Sequence, residues 1–146
     1  MVDVRSEVLE ALRGYAVAYH ESALLLARAL GLPTSDGVAL GELVYAEIGA
    51  APLSPAALSR RIGLTSGATN ALVNRLEARG LVTRSREHDD RRIVTLHPTA
   101  DAHRLAQDFY GEQGDALQRA LGDYDTDQLV AIRDFLVRFT AILPRA

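Results

Sequence analysis

Residues 54–96 constrain the fold of this chain more than any other part, because two short helical patterns, a tight turn and an Arg-rich hairpin follow one another there. Ser54 and Pro55 predict the start of the first helix, since serine is a favoured N-cap and proline suits the first helical position. Gly63 predicts its end. The first helix is therefore short, and a second helical pattern follows it at once.

The second helix is predicted over residues 66–79, after Thr65 as its N-cap and before Gly80 as a left-handed residue that ends it. Apolar residues recur along it at the spacing of a helix with one side facing a core: Ala68, Leu72, Val73 and Leu76. Two helices joined by a short turn that contains glycine are typical of the helix-turn-helix, whose second helix reaches the major groove of DNA.

Two β-branched runs follow Gly80, at residues 81–84 and 92–96, around a polar segment at residues 85–91. This pattern predicts a β-hairpin with a charged tip. With helical patterns on both sides, the chain is predicted to be mainly α with a small β-hairpin wing, an α+β fold of the winged helix-turn-helix type.

The charge is unevenly distributed along the chain. The formal net charge is -3 and the isoelectric point is near 5.8. Residues 54–92 nevertheless carry eight Arg and four acidic residues, a local charge of +4 that leaves −7 for the rest of the chain. A basic patch on an acidic body attracts phosphates locally and repels them elsewhere, which orients an approaching polyanion such as duplex DNA.

Helical patterns flank this segment on both sides. The first ends at Gly31 and Pro33 and has apolar residues on one face: Val8, Leu12, Tyr15, Tyr19, Ala23, Leu26 and Leu30. The second is shorter and has a core-facing set: Leu40, Leu43, Val44 and Ile48. After the hairpin, Thr99 is predicted to cap a long helix, and Asp125 with Gln128 predicts a capping box for the last one.

Three segments of the chain are distinctive: LSPAALSRRIGLT at residues 53–65, LVNRLEARGLVTR at 72–84 and DRR at 90–92. In these segments the sequence resembles the MarR family of bacterial transcriptional regulators. The chain departs from the family pattern at residues 87–88, where Glu-His replaces Asp-Pro, at Asn70 and Asn74, where the family has Thr and Asp, and at residues 98–102. Because base-facing side chains are among those that differ, the operator sequence cannot be carried over.

The resemblance implies a division of labour along one compact domain: residues 1–33 and 99–146 as dimerisation helices, and residues 34–98 as the winged helix-turn-helix. The terminal apolar stripes have to be buried, and a two-fold partner is the commonest solution, with packing inside one chain as the alternative. The expected function is sequence-specific binding of double-stranded DNA by a homodimer on an inverted repeat, as a repressor released by a small aromatic or anionic effector. A winged-helix module that binds protein is the alternative.

The outward face of the second helix is predicted to read DNA. Asn70 and Asn74 lie four residues apart, and asparagine suits the N6/N7 edge of adenine; Ser66 at the helix start suits a phosphate. Asn74 could instead be a solvated side chain or a local cap, and Arg75 could contact a phosphate or pair with Glu77 or another acid. The predicted DNA-binding set is Ser54, Thr65, Ser66, Gly67, Asn70, Ala71, Asn74, Arg75, Arg84, Arg86, Arg91 and Arg92.

In the hairpin tip, Asp90 is predicted to buttress the turn by bonding nearby backbone or a close arginine. That leaves either Arg91 or Arg92 to enter the minor groove, where negative potential is concentrated. A charged tip that is merely solvated is the alternative. Tyr15, Tyr19, His20 and Tyr45 could line an effector pocket, with core or interface aromatics as the alternative.

Catalysis is not expected. The chain has no Lys and no Cys, which excludes a P-loop, a Schiff-base amine, a thiol nucleophile and a thiolate zinc site. The four His show no metal-binding spacing, although His97, His103 and nearby acids could assemble a zinc site in space. We expect no metal and no cofactor. The longest apolar run of the N-terminal helix, residues 23–27, falls far below the roughly 20 residues of a membrane span, so we expect a cytoplasmic protein without a membrane partner.

Overall fold

The computed structural model describes residues 3–86 and 89–145. Glu87 and His88, at which the chain departs from the family pattern, lie outside the described residues. The elements are α1 (Val4–Ala29), α2 (Thr34–Ile48), α3 (Pro55–Ile62), α4 (Ser66–Ala78), β1 (Val82–Ser85), β2 (Thr95–Pro98), α5 (Ala100–Leu121) and α6 (Thr126–Ile142). The predicted fold class, mainly α with a small antiparallel hairpin, is confirmed.

The capping residues define the helix-turn-helix as predicted. The Ser54 side chain accepts a hydrogen bond from the Ala57 N–H at 3.1 Å at the start of α3. Gly63 then ends α3 with φ 70°, in the left-handed region that favours glycine. The Thr65 hydroxyl accepts from the Ala68 N–H at 3.2 Å at the start of α4. The two capping hydrogen bonds and the left-handed conformation of Gly63 therefore define where α3 and α4 begin and how the chain turns between them.

The hairpin differs from the prediction in its second strand, which begins at Thr95 rather than at Arg92. The strands pair antiparallel, with Ser85 opposite Thr95. Before that point the backbone is used in a tight turn, since the Arg92 N–H donates to the Asp90 carboxylate at 3.0 Å and the Ile93 N–H donates to the Asp90 carbonyl at 3.0 Å. Those amide groups are therefore not paired in the strand ladder.

The core is built where α2, α3, α4 and the hairpin meet. Its largest fully buried side chains there are Leu40, Leu43, Leu58, Leu72, Leu76, Leu96, Val73 and Val82. Two expectations about it are wrong. Ala68 is exposed and Thr69, at 1% exposure, is buried instead, because Thr69 shares one helical face with the buried Leu72, Val73 and Leu76. Ile48 is 74% exposed because it is the last residue of α2, where the chain turns away from the core.

The chain forms two compact units, Met1–Phe109 and Tyr110–Ala146. In the second unit the predicted capping box is present: the Asp125 carboxylate accepts from the Gln128 N–H and the Gln128 side chain accepts from the Asp125 N–H, both at 2.9 Å. No residue of α6 is buried, and the rings of Phe135 and Phe139 lie 5.9 Å apart along it. This helix therefore presents apolar side chains to its surroundings.

No single helix among residues 3–86 and 89–145 combines the length and apolar composition of a membrane span. The helices α1 and α2 meet such a criterion only when they are added together, and they are bent by 112° at the break between them.

Candidate nucleic-acid interface

The predicted outward face of α4 is exposed. Its residues are Ser66, Gly67, Asn70, Ala71 and Asn74. Thr65, at the N-cap, is exposed beside them, whereas Ser54 is half-buried and its hydroxyl caps α3. The structure thus brings most of this set to one solvent-facing helix surface and leaves Ser54 at the base of the preceding helix.

Arg75, which could have been a phosphate contact or a partner of Glu77, is held by Asp36 instead. Its Nε donates to Asp36 Oδ2 at 2.9 Å and its Nη2 donates to Asp36 Oδ1 at 2.7 Å. The Asp36 side chain is 2% exposed, while that of Arg75 is 50% exposed. These hydrogen bonds raise the pKa of Arg75 above its ordinary value, so the guanidinium stays charged and neutralises a buried carboxylate.

A second arginine, at the C-terminal end of α4, binds the end of α1. Arg79 donates from its guanidinium to the backbone carbonyls of Leu30 at 3.3 Å and Gly31 at 3.2 Å. Carbonyls at a helix C-terminus lack partners inside the helix and favour a cation. Together with the ion pair of Arg75, this contact ties the end of α4 to the corner between α1 and α2.

Arg84 on β1 is not free to meet a phosphate in this structure. Its guanidinium bonds the carboxylate of Glu77 and also donates to Asn74 Oδ1 at 3.0 Å. Glu77 is thus the partner of Arg84 rather than of Arg75. The sequence offers only a weak indication of this pairing, because Glu77 and Arg84 are separated by the end of α4 and the turn into the strand.

The hairpin tip holds an oriented arginine. The Asp90 carboxylate accepts from Nε and Nη2 of Arg92, both at 3.1 Å, and from the Arg92 backbone N–H. The hydrogen bonds from the Arg92 side chain keep the pKa of Asp90 below its ordinary value, and the bond from the Arg92 backbone N–H adds to this effect. Arg92 remains 91% exposed, and the exposed Arg86 donates to the Arg91 carbonyl. In the described part of the chain, no carboxylate pairs with Arg91.

Three of the four predicted pocket residues lie together near Glu42. The rings of Tyr15 and Tyr19 are 6.1 Å apart, and the Tyr19 hydroxyl donates to Glu42 Oε1 at 3.5 Å. Tyr45 is close enough to act electrostatically on Tyr19, and Arg61 from α3 donates to Glu42 at 3.4 Å. His20 is exposed and, among the described residues, makes no hydrogen bond to this group. Sequence reasoning missed Glu42, which is the residue that organises the cluster.

His97, which could have belonged to a zinc site, is hydrogen-bonded between α2 and β1. Its Nδ1 lies 3.0 Å from Glu47 Oε2 and its Nε2 lies 3.1 Å from Ser85 Oγ. Within the described ranges, no group of three or more His, Cys, Asp or Glu side chains is placed to hold a metal ion. His97 therefore links the hairpin to α2.

The comparisons with known proteins decide the family. A model of the MarR family matches residues 43–93. An uncharacterized HTH-type transcriptional regulator, YcgE of Bacillus subtilis (strain 168), is 30% identical over 129 residues, covering 87% of this chain and 78% of that protein. The chain belongs to the MarR family of transcriptional regulators. It is therefore a DNA-binding regulator, and the alternative of a winged helix that binds only protein is not favoured.

Solved structures of other transcriptional regulators share this fold. MepR of S. aureus in its DNA-binding conformation has a TM-score of 0.66 at 15% identity, over 94% of this chain and 98% of MepR. The S. aureus MepR-DNA complex has a TM-score of 0.58 at 15% identity, over 92% and 94% of the two chains. The regulator Tm0710 from Thermotoga maritima has a TM-score of 0.60 at 20% identity, over 94% of both chains.

The tyrosine cluster of this MarR-family chain gives a measurable titration. Burial, and next the charge of Glu42, raise the pKa of Tyr19 from 10.0 to about 12. Because the folded-state pKa exceeds the unfolded one, Tyr19 contributes stability that is complete below pH 10 and lost as the pH rises towards 12. We expect a phenolate absorbance titration to show a phase near pH 12, and Tyr19→Phe to remove it. A phase near pH 12 that keeps its full amplitude in Tyr19→Phe would contradict this.

Proposed function

We propose that this protein is a repressor that binds an inverted-repeat operator as a homodimer. The observation that carries the proposal is the exposed polar face of α4, with the oriented Arg92 on the adjoining hairpin. A helix of this kind enters the major groove, while a hairpin arginine reaches the neighbouring minor groove. MepR, which is similar in fold, has been solved in complex with DNA, and this supports the same mode of binding here.

Exposed apolar side chains at the two ends of the chain support the dimer. In α1 they include Val4, Val8 and Leu9, and in and after α6 they include Phe135, Leu136, Val137, Ile142 and Leu143. Large apolar surfaces of this kind are rarely left in water and mark protein interfaces. A two-fold pair of winged helices would place its recognition helices roughly 34 Å apart, one helical turn of DNA, and so would read two half-sites.

The roles proposed for individual residues follow from their partners. Asn70 and Asn74 would read base edges, and Ser66 would bind a phosphate at the start of α4. In the hairpin, Arg92 would enter the minor groove, because Asp90 fixes its direction while leaving it exposed. Arg86 and Arg91, which pair with no carboxylate among the described residues, would bind phosphates. No DNA contact is proposed for Arg75, because its guanidinium is bonded to Asp36.

The proposed effector is a small aromatic or anionic compound that binds at the cluster of Tyr15, Tyr19 and Tyr45, next to His20. Phenol rings offer stacking surfaces, and Arg61 supplies a cation beside them. The dimer would have two conformations, which differ in the spacing of its two winged helices. For DNA to be released, the compound would have to bind the conformation that does not fit the operator more tightly than the one that does, by a few kcal/mol. We further propose that the protein has no catalytic activity and works in the cytoplasm, where a regulator of this kind meets its operator.

The hairpin assignment gives a testable prediction. Arg92→Ala is expected to lower affinity for all duplexes by about tenfold and to reduce the salt dependence of binding by about one counterion, since a cation in contact with DNA is lost. Asp90→Ala keeps that cation and loses only its orientation, so affinity should fall less and the salt dependence should stay unchanged. The measurement is a mobility-shift titration with the protein's own promoter region at several salt concentrations.

Arg104→Ala is the matched control for this experiment. Arg104 is an exposed arginine on α5 that pairs with Asp101 and Asp108, so its removal changes the net charge equally at a place away from the hairpin. We expect it to bind like the wild type. If Arg92→Ala and Arg104→Ala lower affinity equally, the hairpin does not contact DNA. If the wild type ignores duplex DNA at low salt, the proposed function fails as a whole.

A further inference from the structure

The amide group of Asn74 has a defined orientation in the free protein. Arg84 Nη2 lies 3.0 Å from one atom of this amide. A guanidinium group can only donate hydrogen bonds, so the atom that faces it has to be the carbonyl oxygen Oδ1. The usual uncertainty between the oxygen and nitrogen of an asparagine side chain is thereby removed, and the Nδ2 amino group points away from Arg84.

Arg84 is itself fixed. Its guanidinium bonds the Glu77 carboxylate, which lies on the same helix as Asn74, and both charged side chains are about one-third exposed or less, at 29% and 33%. Two elements, α4 and β1, therefore hold the asparagine oxygen in place. The orientation exists before any nucleic acid arrives and does not have to be selected on binding.

This orientation conflicts with adenine recognition. To bind adenine, an asparagine donates from its amino group to N7 and accepts from the N6 amino group with its oxygen. Arg84 already occupies one of the two lone pairs of that oxygen, so the oxygen is a weaker and less accessible acceptor for the N6 amino group. We propose that Asn74 reads guanine, whose N7 and O6 are both acceptors, and not adenine; this rests on the proposed function. The amino group of Asn74 supplies the donors, and the nearby Arg84 favours the same electronegative edge.

Asn70 provides a comparison within the same helix. It lies one turn earlier on the same exposed face, and within the described residues its amide makes no hydrogen bond. It keeps both a donor and an acceptor, which is what adenine requires. The two asparagines of α4 therefore differ in base preference although they are the same residue type on the same face.

The test is selection of duplexes from a randomised library by the wild type, followed by titrations at the base pair whose preference disappears in Asn74→Ala. We expect guanine at that position, and about a fivefold loss of affinity when guanine is replaced by 7-deazaguanine, which lacks the N7 acceptor. In the double variant Glu77→Gln with Arg84→Met, which leaves no unpaired carboxylate beside Asn74, we expect the preferred base to change to adenine. A merely structural role of Arg84 would change affinity without changing the preferred base.

Arg86→Met is the matched control, because it removes one exposed cation of the hairpin that does not touch Asn74. It should weaken binding and keep the preference for guanine. Thermal unfolding checks that each variant is folded. A wild-type preference for adenine at this position, or a guanine preference that survives in the double variant, overturns the proposal. If the library enriches a sequence that Asn74→Ala leaves unchanged, only this proposal fails; if the wild type enriches nothing, the proposed function fails with it.

Discussion

Gly37→Ala is expected to destabilise the protein by about 3 kcal/mol or more, since a methyl group placed there overlaps the backbone of a neighbouring helix. A Cβ at Gly37 would lie 2.2 Å from Ala27 Cβ, 2.4 Å from Ala27 Cα and 2.9 Å from Ala27 N. No non-bonded carbon contact is that short, and the obstacle is the backbone of Ala27 with its methyl group, which cannot turn aside like a flexible side chain. Either α1 or α2 has to move. Chemical denaturation followed by circular dichroism measures the loss.

Gly14→Ala is the matched control for Gly37→Ala. Gly14 also lies inside a helix, α1, but a Cβ there would meet no atom within 4 Å. Alanine is the better helix former, so this variant should gain about 0.5–1 kcal/mol. The two substitutions are chemically identical and are expected to have opposite signs. Equal effects would mean that α1 and α2 do not approach as closely as the structure has them.

Arg75→Met is expected to lower the melting temperature by about 10 °C, because it leaves the carboxylate of Asp36 buried without a cation. The asymmetry of the pair makes this prediction specific, since the Asp36 side chain is 2% exposed and that of Arg75 is 50% exposed. The reverse change, Asp36→Asn, leaves the arginine in contact with water, so it should cost less than half as much. Differential scanning calorimetry of both variants provides the comparison.

The double variant Asp36→Asn with Arg75→Met completes the thermodynamic cycle. It removes the buried charge together with its partner, so it should be more stable than Arg75→Met alone. A double variant that is less stable than both single variants would show that the ion pair is not the reason for the loss. The same variants, assayed for DNA binding at a temperature where all are folded, separate stability from recognition.

Much of this fold could be predicted from the sequence because its helices begin and end at residues with strong local chemistry. Ser54, Gly63, Thr65 and Gly80 act on the backbone within three residues of themselves, so single-sequence reasoning finds them. The start of β2 was missed because the Asp90 side chain competes for the amide of Arg92, a choice that β-propensity does not describe. Likewise, Thr69 rather than Ala68 faces the core, although both positions fit helical spacing.

For the candidate site, exposure and the local pairing of Asp90 with Arg92 could be predicted, whereas long-range pairing could not. The outward face of α4 follows from its apolar face, whereas the partner of Arg75 lies 39 residues away in the sequence. Asp36 looks like an ordinary acidic residue in the first turn of a helix, and only the packing of α2 against α4 gives it a role. The requirement for glycine at position 37 is of the same kind, since it depends on Ala27 of another helix. Long-range contacts of this sort leave no periodic pattern in one sequence.

The contact between Gly37 and Ala27 has a mechanical consequence. Since the methyl group of Ala27 is the only side chain between the two main chains at this contact, α1 and α2 have no longer side chain there that could absorb a displacement by changing rotamer. The corner between α1 and α2 is therefore rigid, and the ion pair between Arg75 and Asp36 attaches α4 to it. A tilt of α1 is consequently expected to rotate α1, α2 and α4 together, as one rigid group.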